Sequence, residues 1–218
     1  MVKVKICGLT RTQDVGIIRE SGADMLGVIV NAKIPTPRNL DYEKAREILD
    51  KVPSGIKKVV VGMPKDLSEG IEIIDKLNPD YFQMHSYPNL SEVKELKKAT
   101  GKKLILTISI PQEVSNENEI ISSAKEVSKV SDFILLDTKG PAGGETGKVH
   151  DWSVSRKIRE EISTPVFLAG GLTPSNVNKA IKKVQPYGVD VASGVESKPG
   201  IKNSKKVREF VNNSKERD

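Results

Sequence analysis

Two residues that can carry a proton stand at the ends of apolar runs, far apart in the chain. Cys7 follows a run that ends in Lys-Ile, and Asp137 follows Leu135 and Leu136. In a barrel of parallel strands, residues at the carboxyl ends of the strands point into one mouth. A base and an acid placed there can work on opposite sides of one small substrate. The pair therefore predicts an enzyme in which Cys7 and Asp137 are the catalytic residues.

Glycines in the last quarter of the chain predict a phosphate site. Ala-Gly-Gly at residues 169–171 and Ala-Ser-Gly at residues 192–194 each end an apolar run. Glycine lets backbone N–H groups approach an anion closely, and barrels commonly bind phosphate at the loops after their last two strands. Ordinary tight turns are the alternative use of such glycines. The residues that we expect to bind the phosphate are Gly170, Gly171, Ser193 and Gly194.

Short runs rich in Val, Ile and Leu alternate with longer charged segments of helical period, which is typical of repeated βα units. The predicted strands are residues 2–6, 25–30, 58–61, 81–84, 103–108, 133–136, 165–169 and 188–191. The predicted helices are residues 12–21, 41–51, 67–77, 90–100, 118–130, 152–161, 174–184 and 202–213. Eight strands, each followed by a helix, predict an α/β protein with one domain over residues 1–218, a closed (β/α)8 or TIM barrel.

An open doubly wound sheet is the alternative fold. Such a sheet usually has fewer strands, and the phosphate-binding pattern Gly-x-Gly-x-x-Gly is absent after the first predicted strand. The longest break between predicted elements is the glycine-rich segment 139–150. We interpret it either as a mobile loop over the barrel mouth or as an ordinary long connection.

Composition limits the partners and the location of the protein. The chain has 35 basic and 29 acidic residues, a net charge of +6, and only 4% aromatic residues. Lysines are interleaved with glutamates on helical segments, which indicates a solvated surface; a nucleic-acid site would need more aromatic residues. No apolar run approaches the roughly 20 residues that cross a bilayer, and no signal-like segment opens the chain. We expect a cytoplasmic protein, a monomer or homodimer, that binds neither nucleic acid nor membrane.

Cysteine and histidine are scarce, which limits the disulfides and metal sites that the chain can form. One cysteine cannot form an intramolecular disulfide, and one cysteine with two histidines cannot build the usual Cys/His zinc site. We therefore expect neither a disulfide nor a metal.

Several motifs occur together and in one order along the whole chain. They are Lys-Ile-Cys-Gly at 5–8, Pro-Arg at 37–38, Gln-Met-His at 83–85, Leu-Leu-Asp-Thr at 135–138, Gly-Gly-x-Thr-Gly at 143–147, Asp-Trp at 151–152, Ala-Gly-Gly-Leu-Thr-Pro-x-Asn-Val at 169–177 and Val-Asp-Val-Ala-Ser-Gly-Val-Glu at 189–196. By these motifs the chain resembles the phosphoribosylanthranilate isomerases of tryptophan biosynthesis. The resemblance implies an Amadori rearrangement of N-(5-phosphoribosyl)anthranilate to 1-(2-carboxyphenylamino)-1-deoxyribulose 5-phosphate.

The resemblance also implies roles for individual residues. Asp137 matches the acid that protonates the furanose ring oxygen, and Cys7 matches the base that removes the C2′ proton. Arg38 matches the arginine that orients the anthranilate carboxylate, while His85 and Asp190 match further family residues that we expect to bind substrate. Because the substrate's own nitrogen serves as the electron sink, the family's reaction implies no metal and no organic cofactor.

Each assignment has an alternative. Cys7 is otherwise a small buried apolar residue, Asp137 a brace for the following loop, Arg38 a solvated loop arginine and His85 a structural histidine. The related histidine-pathway ribonucleotide isomerase is an alternative enzyme, but it typically uses two aspartates, and Cys7 argues against it. A phosphate-binding barrel without catalysis and a nucleic-acid-binding protein are the alternatives from other classes.

Overall fold

The protein is described by a computed structural model over residues 1–87, 89–138 and 149–216. The strands in these ranges are β1 (Lys3–Ile6), β2 (Met25–Val30), β3 (Asn39–Leu40), β4 (Lys57–Gly62), β5 (Tyr81–Met84), β6 (Lys103–Ile110), β7 (Phe133–Thr138), β8 (Val166–Leu168), β9 (Gly188–Val191), β10 (Glu196–Lys198) and β11 (Ile201–Lys202). The helices are α1 (Asp14–Ser21), α2 (Tyr42–Leu49), α3 (Leu67–Leu77), α4 (Leu90–Thr100), α5 (Glu117–Ser128), α6 (Trp152–Glu161), α7 (Val177–Val184) and α8 (Ser204–Lys215).

Parallel strands close into a barrel in the order β1, β2, β4, β5, β6, β7, β8, β9 and back to β1. The closure is visible at Lys5, which lies opposite Met25 of β2 on one side and Asp190 of β9 on the other. An open sheet would leave two edges unpaired, whereas here both are hydrogen-bonded. The predicted TIM barrel is confirmed, and the doubly wound alternative is excluded.

Six of the eight described helices, all but α1 and α7, begin where a short polar side chain accepts a hydrogen bond from an N–H group of the first turn. The carboxylate of Asp66 accepts a hydrogen bond from the N–H of Glu69 at α3, and the side chain of Asn89 accepts one from the N–H of Glu92 at α4. Among the described helices, none is long and apolar enough to cross a membrane.

Alternation along the strands divides the buried side chains between two layers. In β1, Val4 and Ile6 belong to the large core between the barrel and its helices, while Cys7 belongs to the barrel interior. Lys5 lies on the same face as Cys7, because side chains two residues apart in a strand share a face. The other apolar residues that fill the interior are Met25, Val59, Val61, Ile105, Phe133, Leu135, Phe167 and Ala169. The inward side chains at the carboxyl ends of the strands therefore meet at one mouth.

Asp137 lies within a strand, which corrects the prediction that it follows one. β7 continues two residues past Leu136 because β6 also continues to Ile110, so that Ser109 pairs with Asp137 and Ile110 with Thr138. The carboxylate is consequently carried by hydrogen-bonded backbone, which fixes its position more firmly than a loop would.

Other boundaries also differ from the prediction. α7 begins at Val177 and not at 174, because the carbonyl of Thr173 accepts from the N–H groups of Asn176 and Val177 in a preceding turn. The two-residue strand β3 and the antiparallel pair β10–β11 were not predicted, since each is too short to show a period.

The predicted loop at 139–150 falls outside the described residues except for its last two. Of these, His150 is buried and joins the end of β7 to α6. Its Nδ1 lies 2.8 Å from Oγ1 of Thr138, and its Nε2 lies 2.6 Å from Oγ of Ser155. Burial lowers the pKa of His150 to about 4, so the imidazole is neutral at physiological pH.

Candidate active site

The residues predicted for the site line one cavity at the carboxyl end of the barrel. Its volume is about 250 Å³, close to the lower end of the range of about 300–1,000 Å³ that is usual for small-ligand sites. The predicted residues among its lining are Cys7, Arg38, His85, Asp137, Gly170, Gly171, Asp190, Ser193 and Gly194. The fold thus brings together two proton-carrying groups, an arginine and two glycine turns that are widely separated in the sequence.

Cys7 directly follows β1 and is held there by the barrel's own hydrogen bonds. Its N–H donates to the carbonyl of Val191 at 2.8 Å, and the residue is only 5% exposed. Burial raises the pKa of the Cys7 thiol, and the ammonium of Lys5 opposes that rise. Because only the thiolate can remove a proton from carbon, the positive charge beside it favours the form that the chemistry needs.

Asp137 faces the same cavity from β7, with β8 and β9 between it and β1 around the barrel. Burial raises the pKa of Asp137 to about 6; His85 lowers it and Asp190 raises it further. A carboxyl with this pKa holds its proton in a far larger fraction of molecules near neutral pH than an ordinary aspartic acid does. That is the requirement for a general acid.

Arg38 is buried and held in a fixed orientation by Glu196 of β10. Its Nε donates to Oε1 of Glu196 at 2.9 Å and its Nη2 to Oε2 at 2.5 Å. The Nζ of Lys202 donates to the same Oε1 at 2.7 Å. Although burial opposes it, Arg38 and Lys202 lower the pKa of Glu196. The alternative of a solvated loop arginine is wrong, since Arg38 is 2% exposed and lines the cavity.

His85 and Asp190 lie near Asp137, as their effects on its pKa indicate. His85 directly follows β5, and its N–H donates to the carbonyl of Gly62 at 2.9 Å. Asp190 is 8% exposed, and its Oδ1 accepts a hydrogen bond of 3.0 Å from Nζ of Lys5. Asp190 therefore lines the cavity while it pairs with a buried lysine, a partner that we did not predict.

The predicted phosphate residues form two turns that touch each other. Gly170 and Gly171, one residue beyond the end of β8, have positive φ angles of 84° and 67°, and a short 3-10 helix, Ser193–Val195, follows β9. A Cβ placed on Gly194 would lie 1.9 Å from the carbonyl oxygen of Leu172. Glycine is thus required for the close approach of the two turns, in addition to any contact with an anion.

Further polar residues at or beside the cavity were not predicted as site residues, among them the buried Lys5, Gln83, Glu196 and Lys202. Gln83 is 2% exposed, and its Nε2 lies 3.5 Å from Oγ1 of Thr107. Its Oε1 accepts no hydrogen bond from any of the described residues. A buried acceptor of this kind that lines a cavity can accept a hydrogen bond from a ligand hydroxyl.

The sequence holds a signal for two of these residues. Lys5 precedes Cys7 by two positions and Gln83 precedes His85 by two, so strand alternation places each on the same inward face. Glu196 and Lys202 carry no comparable signal, because the contact of Glu196 with Arg38 joins residues 158 positions apart.

Comparisons with known proteins agree with this geometry. The family model for N-(5′-phosphoribosyl)anthranilate (PRA) isomerase matches residues 4–213. The N-(5′-phosphoribosyl)anthranilate isomerase of Methanosarcina acetivorans is 41% identical over 96% of this chain and 91% of its own length. The crystal structure of phosphoribosyl anthranilate isomerase from Thermotoga maritima is similar with a TM-score of 0.86 and 33% identity, covering 99% of both chains. Another phosphoribosyl anthranilate isomerase structure, in complex with reduced 1-(o-carboxyphenylamino)-1-deoxyribulose 5-phosphate, has a TM-score of 0.83 and 30% identity, again over 99% of both chains.

Proposed function

The chain belongs to the N-(5′-phosphoribosyl)anthranilate isomerase family, and we propose that Cys7 and Asp137 are the base and the acid of its reaction. It acts in tryptophan biosynthesis and converts N-(5-phosphoribosyl)anthranilate to 1-(2-carboxyphenylamino)-1-deoxyribulose 5-phosphate. The observation that carries the proposal is the placement of both residues in one cavity, with the raised pKa of Asp137 suited to hold a proton.

The first step opens the sugar ring. Asp137 donates its proton to the furanose ring oxygen as the bond from that oxygen to C1′ breaks, and the bond's electron pair stays on the oxygen as a hydroxyl. The lone pair of the anilino nitrogen forms a C1′=N double bond, which gives an iminium. The raised pKa of Asp137 supports this role, because an ionised carboxylate has no proton to give.

The second step moves a proton from carbon to sulfur. The Cys7 thiolate takes the proton from C2′, and the C–H electron pair forms a C1′=C2′ double bond while the iminium pair returns to nitrogen. The resulting enolamine becomes the ketose when C1′ gains a proton and the C2′ hydroxyl loses one. Protons and electrons balance within the substrate and the two side chains.

The two ends of the substrate carry different charges, and the cavity offers a different group to each. We assign the phosphate to the turns at Gly170, Gly171, Ser193 and Gly194, and its oxygens to the N–H groups of Gly171, Ser193 and Gly194. Arg38 is assigned to the anthranilate carboxylate, because a guanidinium in a fixed orientation recognises a carboxylate with defined geometry. His85 and Asp190 are assigned to the sugar between the two ends.

The proposal extends to reaction class and surroundings. The reaction is an intramolecular oxidoreduction of the aldose–ketose type, and the substrate nitrogen accepts the electrons, so the chain needs no cofactor. All of the assigned residues lie in one chain, so a monomer or a homodimer can carry a whole site. We assign the enzyme to the cytoplasm.

Turnover of N-(5-phosphoribosyl)anthranilate by the purified protein, before and after treatment with a metal chelator, tests the proposal. We expect the ketose product to form at the same rate in both preparations. Formation of no product by folded protein would contradict the function, and loss of the activity on chelation followed by its return with added metal would contradict cofactor independence. The Asp75→Asn variant, changed at an exposed position on α3, serves as a handling control.

A further inference from the structure

Lys5 is an unusual residue for the inside of a barrel. Its side chain is fully buried, with no exposed surface, and lysine is almost never buried in this way unless it is paired. The pair is with Asp190, whose Oδ1 lies 3.0 Å from Nζ of Lys5. Burial of an ion pair in a barrel interior is expensive in solvation free energy, and apolar residues of similar size would often be at least as stable. The pair therefore calls for a role other than stability.

The side chain of Lys5 runs beside the thiol of Cys7. Both residues face inward from β1, and both lean over Gly27 of the neighbouring strand β2. A Cβ placed on Gly27 would lie 2.9 Å from Sγ of Cys7 and 3.3 Å from Cε of Lys5. The absence of a side chain at Gly27 thus leaves the space in which the two side chains meet.

The charges around the thiol are few and of defined sign. Lys5 on β1 and Lys202 on β11 lower the pKa of Cys7, and Asp190 on β9 raises it. Among the described residues, the other charged or titratable groups at this cavity are Arg38, which pairs with Glu196, and Asp137 and His85. Burial alone would lower the pKa of Lys5, but Asp190 and Cys7 raise it above its ordinary value, so the side chain is an ammonium. Burial raises the pKa of Cys7, and Lys5 is the strongest of the groups that oppose the rise.

From this geometry we propose that Lys5 is a positioning residue that stabilises the thiolate of Cys7, with Asp190 holding the ammonium in place. The inference rests on the proposed role of Cys7 as the base. When the thiol is protonated, Asp190 keeps the buried ammonium paired; when the thiol ionises, the ammonium already lies beside it. Asp190 thus acts on the base through Lys5, although its own negative charge raises the pKa of Cys7.

The thiol titration can be measured without substrate, because Cys7 is the chain's one cysteine. The rate of its alkylation by iodoacetamide, followed against pH, reports the pKa of the thiol. We expect Lys5→Met to move this titration to higher pH and to slow alkylation at neutral pH by about tenfold or more, the effect of one pH unit. The basic side of the kcat/KM profile should shift in the same direction, with KM changed little.

Further variants keep the test decisive. The double variant Lys5→Met/Asp190→Asn leaves no unpaired buried charge, so it serves if the single variant does not fold. Because the carboxylate of Asp190 itself raises the pKa of Cys7, the double variant is compared with Asp190→Asn and not with the parent. Lys3→Met removes a lysine from the same strand, but one that pairs with Asp24 at the surface, and should titrate like the parent. A thiol that titrates as in the parent in folded Lys5→Met, or as in Asp190→Asn in the folded double variant, would overturn the inference. Full turnover by Cys7→Ala would instead overturn the role of the base and leave the alkylation result standing.

Discussion

The two ends of the barrel interior are built from the same strands, but one is packed with aromatic rings and the other carries ionisable groups. At the amino end, the rings of Phe133 and Phe167 lie 5.7 Å apart, and Tyr187 lies 5.4 Å from each. At the carboxyl end, the inward positions hold a thiol and carboxylates. The aromatic end gains free energy from burial and ring contacts. The polar end gives up solvation, as the raised pKa of Asp137 shows.

The change from one chemistry to the other takes place within single strands. In β7 the inward positions are Phe133, Leu135 and Asp137, each two residues after the last. The packed end fixes the backbone that carries the carboxylate, so a group that is poorly solvated stays in place. Stability and chemistry thus occupy different layers of one barrel, and variants in each layer should have separable effects.

The largest effect should come from the two proton-carrying groups at the polar end. We expect Cys7→Ala and Asp137→Asn each to lower turnover by roughly 10³-fold or more, because each removes a group that the proposal assigns to a proton transfer. Binding of a product analogue and the fold should be preserved. Steady-state kinetics and analogue titration measure both. Near-native turnover by either variant would remove that residue from the mechanism.

The aromatic end should respond in stability and not in chemistry. Phe167 is fully buried, so Phe167→Ala should lower the free energy of unfolding by about 3–5 kcal/mol. Denaturant unfolding measures the loss, and turnover per folded molecule should change little. Phe167→Leu leaves a smaller cavity and should lose less. A collapse of turnover at unchanged stability would show that the two layers are not separable.

Arg38 should show an intermediate effect on recognition. Arg38→Met should weaken binding of substrate and of a product analogue by about 1.5–3 kcal/mol, the contribution of a hydrogen bond to a charged group. Arg19→Met, changed at an exposed position on α1, is the matched control and should bind like the parent. Equal affinity of the Arg38 variant and the parent for an analogue that lacks the aryl carboxylate would locate the effect at that group. Unchanged kinetics with the true substrate would contradict the assignment.

The last expected effect is a gain in stability at the polar end, no larger than the loss expected for Phe167→Ala. The pKa of Asp137 rises from 3.8 to about 6 on folding, so the folded state binds the proton more tightly than the unfolded state. Ionisation of Asp137 therefore lowers the free energy of unfolding. This loss is absent below pH 3.8, grows between pH 3.8 and about 6, and is complete at higher pH. A pKa shift of about two units corresponds to a loss of roughly 3 kcal/mol in the free energy of unfolding at most.

We therefore expect Asp137→Asn to be more stable than the parent at neutral pH, with an advantage that shrinks as the pH falls to about 4. Denaturant unfolding of both proteins across this range measures the difference. An advantage that stays constant with pH would mean that ionisation of Asp137 is not its cause.

The sequence predicted the barrel and most of the cavity for physical reasons that can be named. Apolar runs of strand length are local signals, and residues at their ends share one mouth once the strands close, which is why Cys7 and Asp137 could be placed together. The end of β7 was misplaced because its last two residues are held by pairing with β6, a contact that local composition does not encode.

The contacts that hold the site residues could not be predicted in the same way. Arg38 donates a hydrogen bond to Glu196, and Lys5 donates one to Asp190. These side chains meet only after the barrel closes. The pKa of Asp137 likewise depends on burial, and burial is a property of the assembled fold.

The central claim is that acid, base and phosphate turns act on one substrate in one cavity. The most direct measurement is a crystal structure of this protein with reduced 1-(2-carboxyphenylamino)-1-deoxyribulose 5-phosphate. The account predicts the phosphate against the N–H groups of Gly171, Ser193 and Gly194, Sγ of Cys7 about 3.5 Å from C2′, and the Asp137 carboxyl within about 3.2 Å of the oxygen that leaves C1′. A phosphate bound near β1, β2 and β4, or a sugar out of reach of Cys7 and Asp137, would contradict it.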